Sequence, residues 1–457
     1  MYHSYDPTRT VGSLFGNQRH TMASSNINRR RFLVASMAAA TGFAAELPKP
    51  LTLTQWLKAS PEARRQAFQT CLDRIKELEP AIHAWVQVLP QQPRGRGKLS
   101  GVPFGVKDIF ETRGLATEYG SPIYKGRIGL YDAAIVRNLR ERGAILLGKT
   151  QTTAFSYRTP APTRNPRDLQ HTPGGSSSGS AAAVAAGIVP FAVGEQTIGS
   201  TLRPASYCGV TGFKPTFGLM PTSGMLPFAK SMHTVGFFTD TPNDMQALWD
   251  AMGYPLASAQ DFPVGVCDPL PDVEPPMAAA FQDTVARLRG AGLVLRPVDI
   301  AAMLASLADA NQTVLFYEGA RFHQERYRQY GDRLGVLADL VRDGLKMPIK
   351  QYEDATGYIA ECRSKMTDIY RLTPVILVPA ATGPAPLGLT YTGDWRMNSP
   401  WSALGTPAIS IPMPVGASLP LGLQLTANHG KDARLLRMAV RTQAVLEGAI
   451  PGAANSP

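Results

Sequence analysis

The chain of 457 residues is 44% hydrophobic and 18% charged, the balance of a globular protein with a large core and not of a disordered one. Of its net charge of +11, the first 45 residues carry +4, from five arginines (Arg9, Arg19, Arg29, Arg30, Arg31) set against Asp6. The rest is dispersed, and the densest basic run, "RGRGK" from Arg94 to Lys98, has no interleaved aromatic residues; it reads as a solvated loop, so no nucleic-acid partner is expected.

In chain order, "NRRRFLVASMAAATGFAAE" sets paired arginines ahead of an apolar run from Phe32 and small residues suited to signal peptidase near Ala44 or Ala45. Arg29 and Arg30, followed by Phe32 and Leu33, resemble a twin-arginine export signal. The run of about 14 residues is short for a bilayer. The expectation is a leader and export signal over residues 1–45, with Met22 as a start that would leave the preceding 21 residues untranslated. The mature protein over residues 46–457 is then periplasmic or secreted, with no stable membrane insertion once the signal is removed.

Ser60–Pro61 opens a helix, because Phe68, Cys71, Leu72, Ile75 and Leu78 fall at helical spacing up to Glu79. "AWVQVLP" reads as a strand, "QQPRGRGKLSG" as an exposed loop, and "VPFGVKDIF" as a strand ending at Lys107. "AAIVRNLRERGAILLGKT" reads as helix, glycine stop and strand. Met277, Phe281, Val285 and Leu288 mark another helix that stops near Gly290, and "VILVP", "AISIP" and "LGLQL" are short strands between turns. Alternating strands and helices without a linker or repeat predict one large α/β domain. Cys71, Cys208, Cys267 and Cys362 lack metal-ligand spacing, and His171, His233 and His429 form no metal motif, so no metal or other cofactor is expected.

"TPGGSSSGSAAAVAAG", Thr172 to Gly187, admits several readings. A flexible linker should not run into a helix former and then "IVPFAVG", and a phosphate loop would need a lysine that is absent. "GSSSG" matches the nucleophile turn of α/β-hydrolases with Ser177 as nucleophile, but the preceding "NPRDLQHTPG" is polar and not a buried strand.

Three separated pieces, "GVPFGVKD" with Lys107, "PGGSSSGSAAAVAAG" with Ser176 and "QTIGSTLRPASYCGVTGFKPTFG" with Ser200, together resemble the amidase signature family of serine hydrolases. The likeness runs from about Leu53 to Val445, through "TRNPRDL", "HTVGFFTDT" and "NSPWSALGTPAISIPMPVGASLPLGLQL". It implies a mixed twisted sheet covered by helices on both faces. It also implies Ser200 as nucleophile, Ser176 as proton bridge after a cis peptide bond from Gly175, and Lys107 as base. Thr197, Ile198, Gly199 and Ser200 would supply the oxyanion hole, with Gly174, Gly175, Ser177, Gln196 and Arg203 in support. The implied partner is a small-molecule amide, in a monomer or a homodimer.

A buried lysine suits this chemistry, since burial disfavours its charged form. Asp108 beside Lys107 would oppose that, and strand alternation turns it the other way. The commonest family pattern, DTGGSIRxPA, is altered: Gln196 replaces the aspartate, Ile198 the first glycine and Leu202 the arginine, with Arg203 one place later. Loss of acid and arginine together suggests a lost ion pair, with Arg203 taking a new partner. Ile198 would narrow the acyl pocket or distort the hole. A helix common upstream of the lysine motif is missing, which would open one side of the entrance. Tyr391, Trp395 and Trp401 are candidates either for pocket walls or for core packing. Three further readings stay open: the glutaminase-like component of a tRNA-dependent amidotransferase, a Ser177 esterase, and a catalytically weak binding protein.

Overall fold

The computed structural model describes residues 50–416 and 418–449. The leader and export signal expected over residues 1–45 lie outside the described residues. Eleven strands form one sheet: β1 (Trp85–Gln91), β2 (Pro103–Lys107), β3 (Ile145–Thr150), β4 (Phe191–Gln196), β5 (Thr211–Lys214), β6 (Thr234–Thr239), β7 (Val264–Cys267), β8 (Leu295–Val298), β9 (Val375–Pro379), β10 (Ala408–Pro412) and β11 (Gly422–Ala427). Their order is β1-β3-β2-β4-β6-β5-β10-β11-β9-β7-β8. β2 lies parallel to β3 and β4, the run from β4 to β9 is antiparallel, and β7 lies parallel to both β8 and β9. This is the mixed sheet that the resemblance implied.

Alternation along the strands builds a core on each face. Phe191 and Val193 of β4, Val375 and Leu377 of β9, and Ile409 and Ile411 of β10 join one cluster with helices Pro242–Ala251, Pro275–Gly290 and Asp432–Leu446. The intervening Ala192 packs with the alanines of helix Ser178–Ala185, while Ile376, Val378 and Ala408 meet helices Ala301–Tyr330, Val336–Lys346 and Ile349–Leu372. Both faces are therefore covered by helices.

Ser60 caps helix Pro61–Ile82 by accepting from the Ala63 N–H at 3.2 Å, as the serine-proline start predicts. The three consecutive helices from Ala301 to Leu372 were not read from the sequence. The longest buries Asn311, Gly319, Ala320 and His323 along with its leucines, so its inward stripe is not plainly apolar. The loop between β1 and β2 packs on the end of helix Ala134–Glu141, with Arg94 N–H on Arg140 O at 2.9 Å. It leads into the start of β2, whereas Lys107 ends that strand. The loop thus lies at the end of β2 away from Lys107. No helix among the described residues is long and apolar enough to cross a membrane.

Asp108 turns away from Lys107, as expected. It forms a fully buried ion pair with Lys149 at 2.9 Å, and its other oxygen accepts from the Glu118 N–H at 3.0 Å. Lys149 also donates to Phe110 O, Ala116 O and Thr117 Oγ1. Removing one partner of such a pair strands the other charge. Asp108→Asn is expected to lower unfolding stability by about 3–5 kcal/mol in urea titrations; an unchanged midpoint would show that the carbonyls alone hold Lys149.

Candidate active site

Every residue of β2 is buried, and Lys107 at its end is 0% exposed. Its Nζ donates to Ser176 Oγ at 2.6 Å and to Glu195 Oε2 at 3.0 Å. Ser176 follows Gly175 across a cis peptide bond, and Gly174 before them holds φ +81°, a conformation that favours glycine. Helix Ser178–Ala185 starts directly after this turn, with Ser178 Oγ donating to Gly174 O at 2.6 Å.

Ser200 reaches the same place from the end of β4. Its carbonyl accepts from the Ser177 N–H at 3.3 Å, and its side chain is nearly buried. The N–H groups of Thr197, Ile198, Gly199 and Ser200 meet no acceptor among the described residues. Such unpartnered N–H groups can stabilise negative charge that develops on a carbonyl oxygen. Ile198 is absent from the residues with positive φ and packs, half-buried, against the cluster containing Phe155, Phe228 and Met232. It thus takes no left-handed conformation and packs its side chain on that cluster.

The altered motif acquires a specific geometry. Gln196 Oε1 accepts from the N–H groups of Thr201 and Leu202, both at 3.1 Å, and its Nε2 donates to Ser402 Oγ at 3.2 Å. Arg203 takes the Gly175 carbonyl as partner, Nη2 to O at 2.7 Å, and so holds the peptide just before Ser176. Burial pushes the Arg203 guanidinium below its ordinary value, against the pull of Tyr207, Tyr391 and Asp394. A methyl on Gly199 would lie 3.1 Å from Asn398 Oδ1 and 3.2 Å from Trp395 Cβ, which puts Trp395 against this segment.

Ser177 Oγ donates to Glu195 O and accepts from the Glu195 N–H, and Ser177 is fully buried. It ties the turn to β4, and no strand leads into that turn, so the α/β-hydrolase geometry is not met. Trp401 is fully buried, with Nε1 donating to Met397 O at 3.0 Å, and belongs to the core. Tyr391 is 55% exposed. A cavity of about 720 Å³ lies between residues 255–262 and helix Asp432–Leu446 and is lined by none of these site residues.

Sequence reading missed Glu195 and Ser156. Glu195 Oε1 accepts from Thr197 Oγ1 at 2.5 Å, and Oε2 from both Lys107 and Ser156 Oγ, the latter at 3.1 Å. The available signal was an acid inside the strand-like "FAVGEQ", since a buried carboxylate needs a cation. Burial pushes Lys107 below its ordinary value, and Glu195 opposes this. Burial alone would raise the Glu195 carboxyl; Lys107, the Thr197 hydroxyl and His233 outweigh it and hold the group below the usual carboxylate range.

The amidase family profile matches residues 66–436. The chain belongs to the amidase family. Its coarse chemistry is that of an amidase-family enzyme acting on C–N amide bonds. It is 29% identical to the A subunit of the glutamyl-tRNA(Gln) amidotransferase of Thermotoga maritima, over 86% of this chain and 94% of that protein. A crystal structure of an amidase superposes with TM-score 0.75 at 25% identity, covering 92% of this chain and 99% of the other. The 6-aminohexanoate cyclic dimer hydrolase in complex with substrate shares the fold, with TM-score 0.73 at 22% identity over 90% of this chain and 99% of that one.

Arg203→Met would leave the buried Gly175 carbonyl of this amidase without its donor. The expected cost is about 1–3 kcal/mol of stability, read by urea titration; a wild-type curve would mean that another group takes over the carbonyl.

Proposed function

We propose that the protein is an exported amidase that converts a carboxamide into a carboxylate and ammonia or an amine through an acyl-enzyme on Ser200. The observation that carries this reading is the 2.6 Å contact between Lys107 Nζ and Ser176 Oγ, between two buried side chains beside the Ser200 segment. Amides are poor electrophiles, so the nucleophile has to be activated and the oxyanion stabilised.

In this mechanism Ser200 Oγ bonds to the substrate carbonyl carbon. Its proton passes to Ser176 Oγ as the Ser176 proton passes to neutral Lys107, a Ser-Lys form of triad logic that uses no histidine. The carbonyl electron pair moves onto oxygen, where the N–H groups of residues 197–200 can receive it. When the C–N bond breaks, Ser176 returns a proton to the leaving nitrogen and is refilled by Lys107. Water then adds to the acyl carbon, losing its proton through the same relay, and Ser200 departs with a proton as the carboxylate forms. Burial of Lys107 favours the neutral amine that this needs. The acyl-enzyme makes esters side substrates, and no cofactor enters the scheme. Export rests on the Arg29-Arg30 segment, and the substrate is a linear small-molecule amide.

A second reading, a glutaminase that works with a partner chain, is favoured by the likeness to the glutamyl-tRNA(Gln) amidotransferase. Ammonia release from free glutamine compared with simple aliphatic and aryl carboxamides separates the two.

A fluorophosphonate probe followed by peptide mass spectrometry should place the adduct on Ser200. Lys107→Ala and Ser176→Ala should each slow labelling by about 100-fold or more, the scale of general acid–base contributions. An adduct on Ser177, or labelling that persists in Ser200→Ala, would refute the mechanism; no adduct on a folded protein would favour a binding role.

A further inference from the structure

Lys107, Ser176, Ser156 and Glu195 close a ring of hydrogen bonds. Lys107 Nζ reaches Ser176 Oγ at 2.6 Å and Glu195 Oε2 at 3.0 Å; Ser156 Oγ reaches the same two atoms, each at 3.1 Å. Glu195 is 2% exposed, and Thr197 Oγ1 fixes its other oxygen. Ser156 arrives through two successive non-glycine residues in the left-handed region, Phe155 at φ 55° and Ser156 at φ 62°. Side chains with a Cβ seldom adopt that conformation, and such residues concentrate at functional sites. The Thr153 N–H on Ser176 O, at 3.2 Å, ties this turn to the relay.

We propose that Glu195, together with Ser156, is a positioning residue of the relay and sets the pH above which Lys107 serves as base. This rests on the Ser200 reading above. With Lys107 protonated, the ionised carboxylate accepts from Lys107 and from the Ser156 hydroxyl, and the Ser156 oxygen accepts from Ser176. With Lys107 neutral, Ser176 donates to Lys107 Nζ and the Ser156 hydroxyl turns to donate to Ser176 Oγ, since either oxygen of that pair can be the donor. Ser176 is thereby held between two partners. The same carboxylate stabilises the Lys107 ammonium, so neutral Lys107 appears at higher pH than burial alone would dictate.

The other charged groups nearby are engaged elsewhere or act on Glu195. Asp108 is paired with Lys149, and Arg203 is held on the Gly175 carbonyl. His233, just before β6, lies near Glu195 and also feels Glu318 of helix Ala301–Tyr330 and Lys230. Burial pushes the His233 imidazole below its ordinary value, against the pull of Glu195 and Glu318.

The test is the second-order rate of Ser200 labelling by a small fluorophosphonate, followed from mildly acidic to alkaline pH. In that reaction the Ser200 Oγ–P bond forms, the P–F bond breaks, fluoride leaves, and the Ser200 proton moves through Ser176 to Lys107. Glu195→Gln removes the charge that favours the ammonium, so the acidic limb of the profile should move to lower pH by about one unit or more. Glu195→Asp keeps the charge and should restore the limb toward its wild-type position. Ser156→Ala breaks the ring without removing charge, so the limb should stay in place while the plateau falls about tenfold or more, as for other lost hydrogen bonds to charged networks. A Glu195→Gln limb at the wild-type pH, or a Ser156→Ala plateau equal to wild type, overturns the inference. Should Glu195→Gln fail to fold by circular dichroism, the Ser156→Ala result decides alone. Labelling that persists in Ser200→Ala would instead refute the underlying mechanism, whatever the Glu195 variants do.

Discussion

A lysine held out of water between parallel strands constrains the centre of this amidase-family protein. An unpaired ammonium in such a place is costly enough that it must either be matched by acceptors or lose its proton. The sheet contains three buried lysines that meet this demand differently. Lys149 has Asp108, two carbonyls and a hydroxyl. Lys214 contacts the carbonyls of Pro215 and Thr406, and burial pushes it down to about 7 despite Asp432. Lys107 has one carboxylate and one serine hydroxyl, so the group that tempers its desolvation also adjoins the group to which it can pass a proton.

The segments around Lys107 are joined mainly through backbone groups. Ser177 N–H meets Ser200 O, Thr153 N–H meets Ser176 O, Ser177 Oγ spans both backbone groups of Glu195, and Arg203 holds Gly175 O. Four pieces distant in sequence thus become one rigid unit, hung from β2 and β4. Effective proton relays need positions fixed to fractions of an ångström, and side chains on strand ends and a helix start provide that better than mobile loops.

Much of this was legible beforehand because the informative residues break local rules. A glycine pair ahead of serines and alanines, a lysine ending an apolar strand, and a serine-proline helix start each carry their own physical reason. Glu195 was not legible in the same way, because its meaning depends on a partner 88 residues away, and strand patterning shows only that a buried acid needs one. Ser156 depends on a left-handed turn made by Phe155 and Ser156, without the glycine that normally announces one. The long helices from Ala301 to Leu372 were hidden because the first packs Asn311 and His323 inward, with Asn311 donating to Ser399 O at 2.7 Å.

The departures from the commonest family pattern now form a single rearrangement. Its acid falls at 196 and its arginine at 202; here an acid stands at 195 and an arginine at 203, with neutral Gln196 and Leu202 between. Neither charge has disappeared, but each has a different partner. Gln196 satisfies the N–H groups that open the next helix without needing a cation, while Arg203 binds a carbonyl and has no ion-pair partner among the described residues. The carboxylate, displaced by one residue, faces Lys107. Strand alternation sends the side chain at 196 away from Glu195 and onto the N–H groups of Thr201 and Leu202, so an aspartate restored there alone would be a second buried acid without a cation, Arg203 being already committed to Gly175. An unpaired buried carboxylate is costly, whereas the neutral Gln196 amide meets the same N–H groups without that cost. The charges at 195 and 203 each have a partner of their own, Lys107 and the Gly175 carbonyl, and the residues at 196 and 202 are neutral, so the altered motif keeps its buried charges matched.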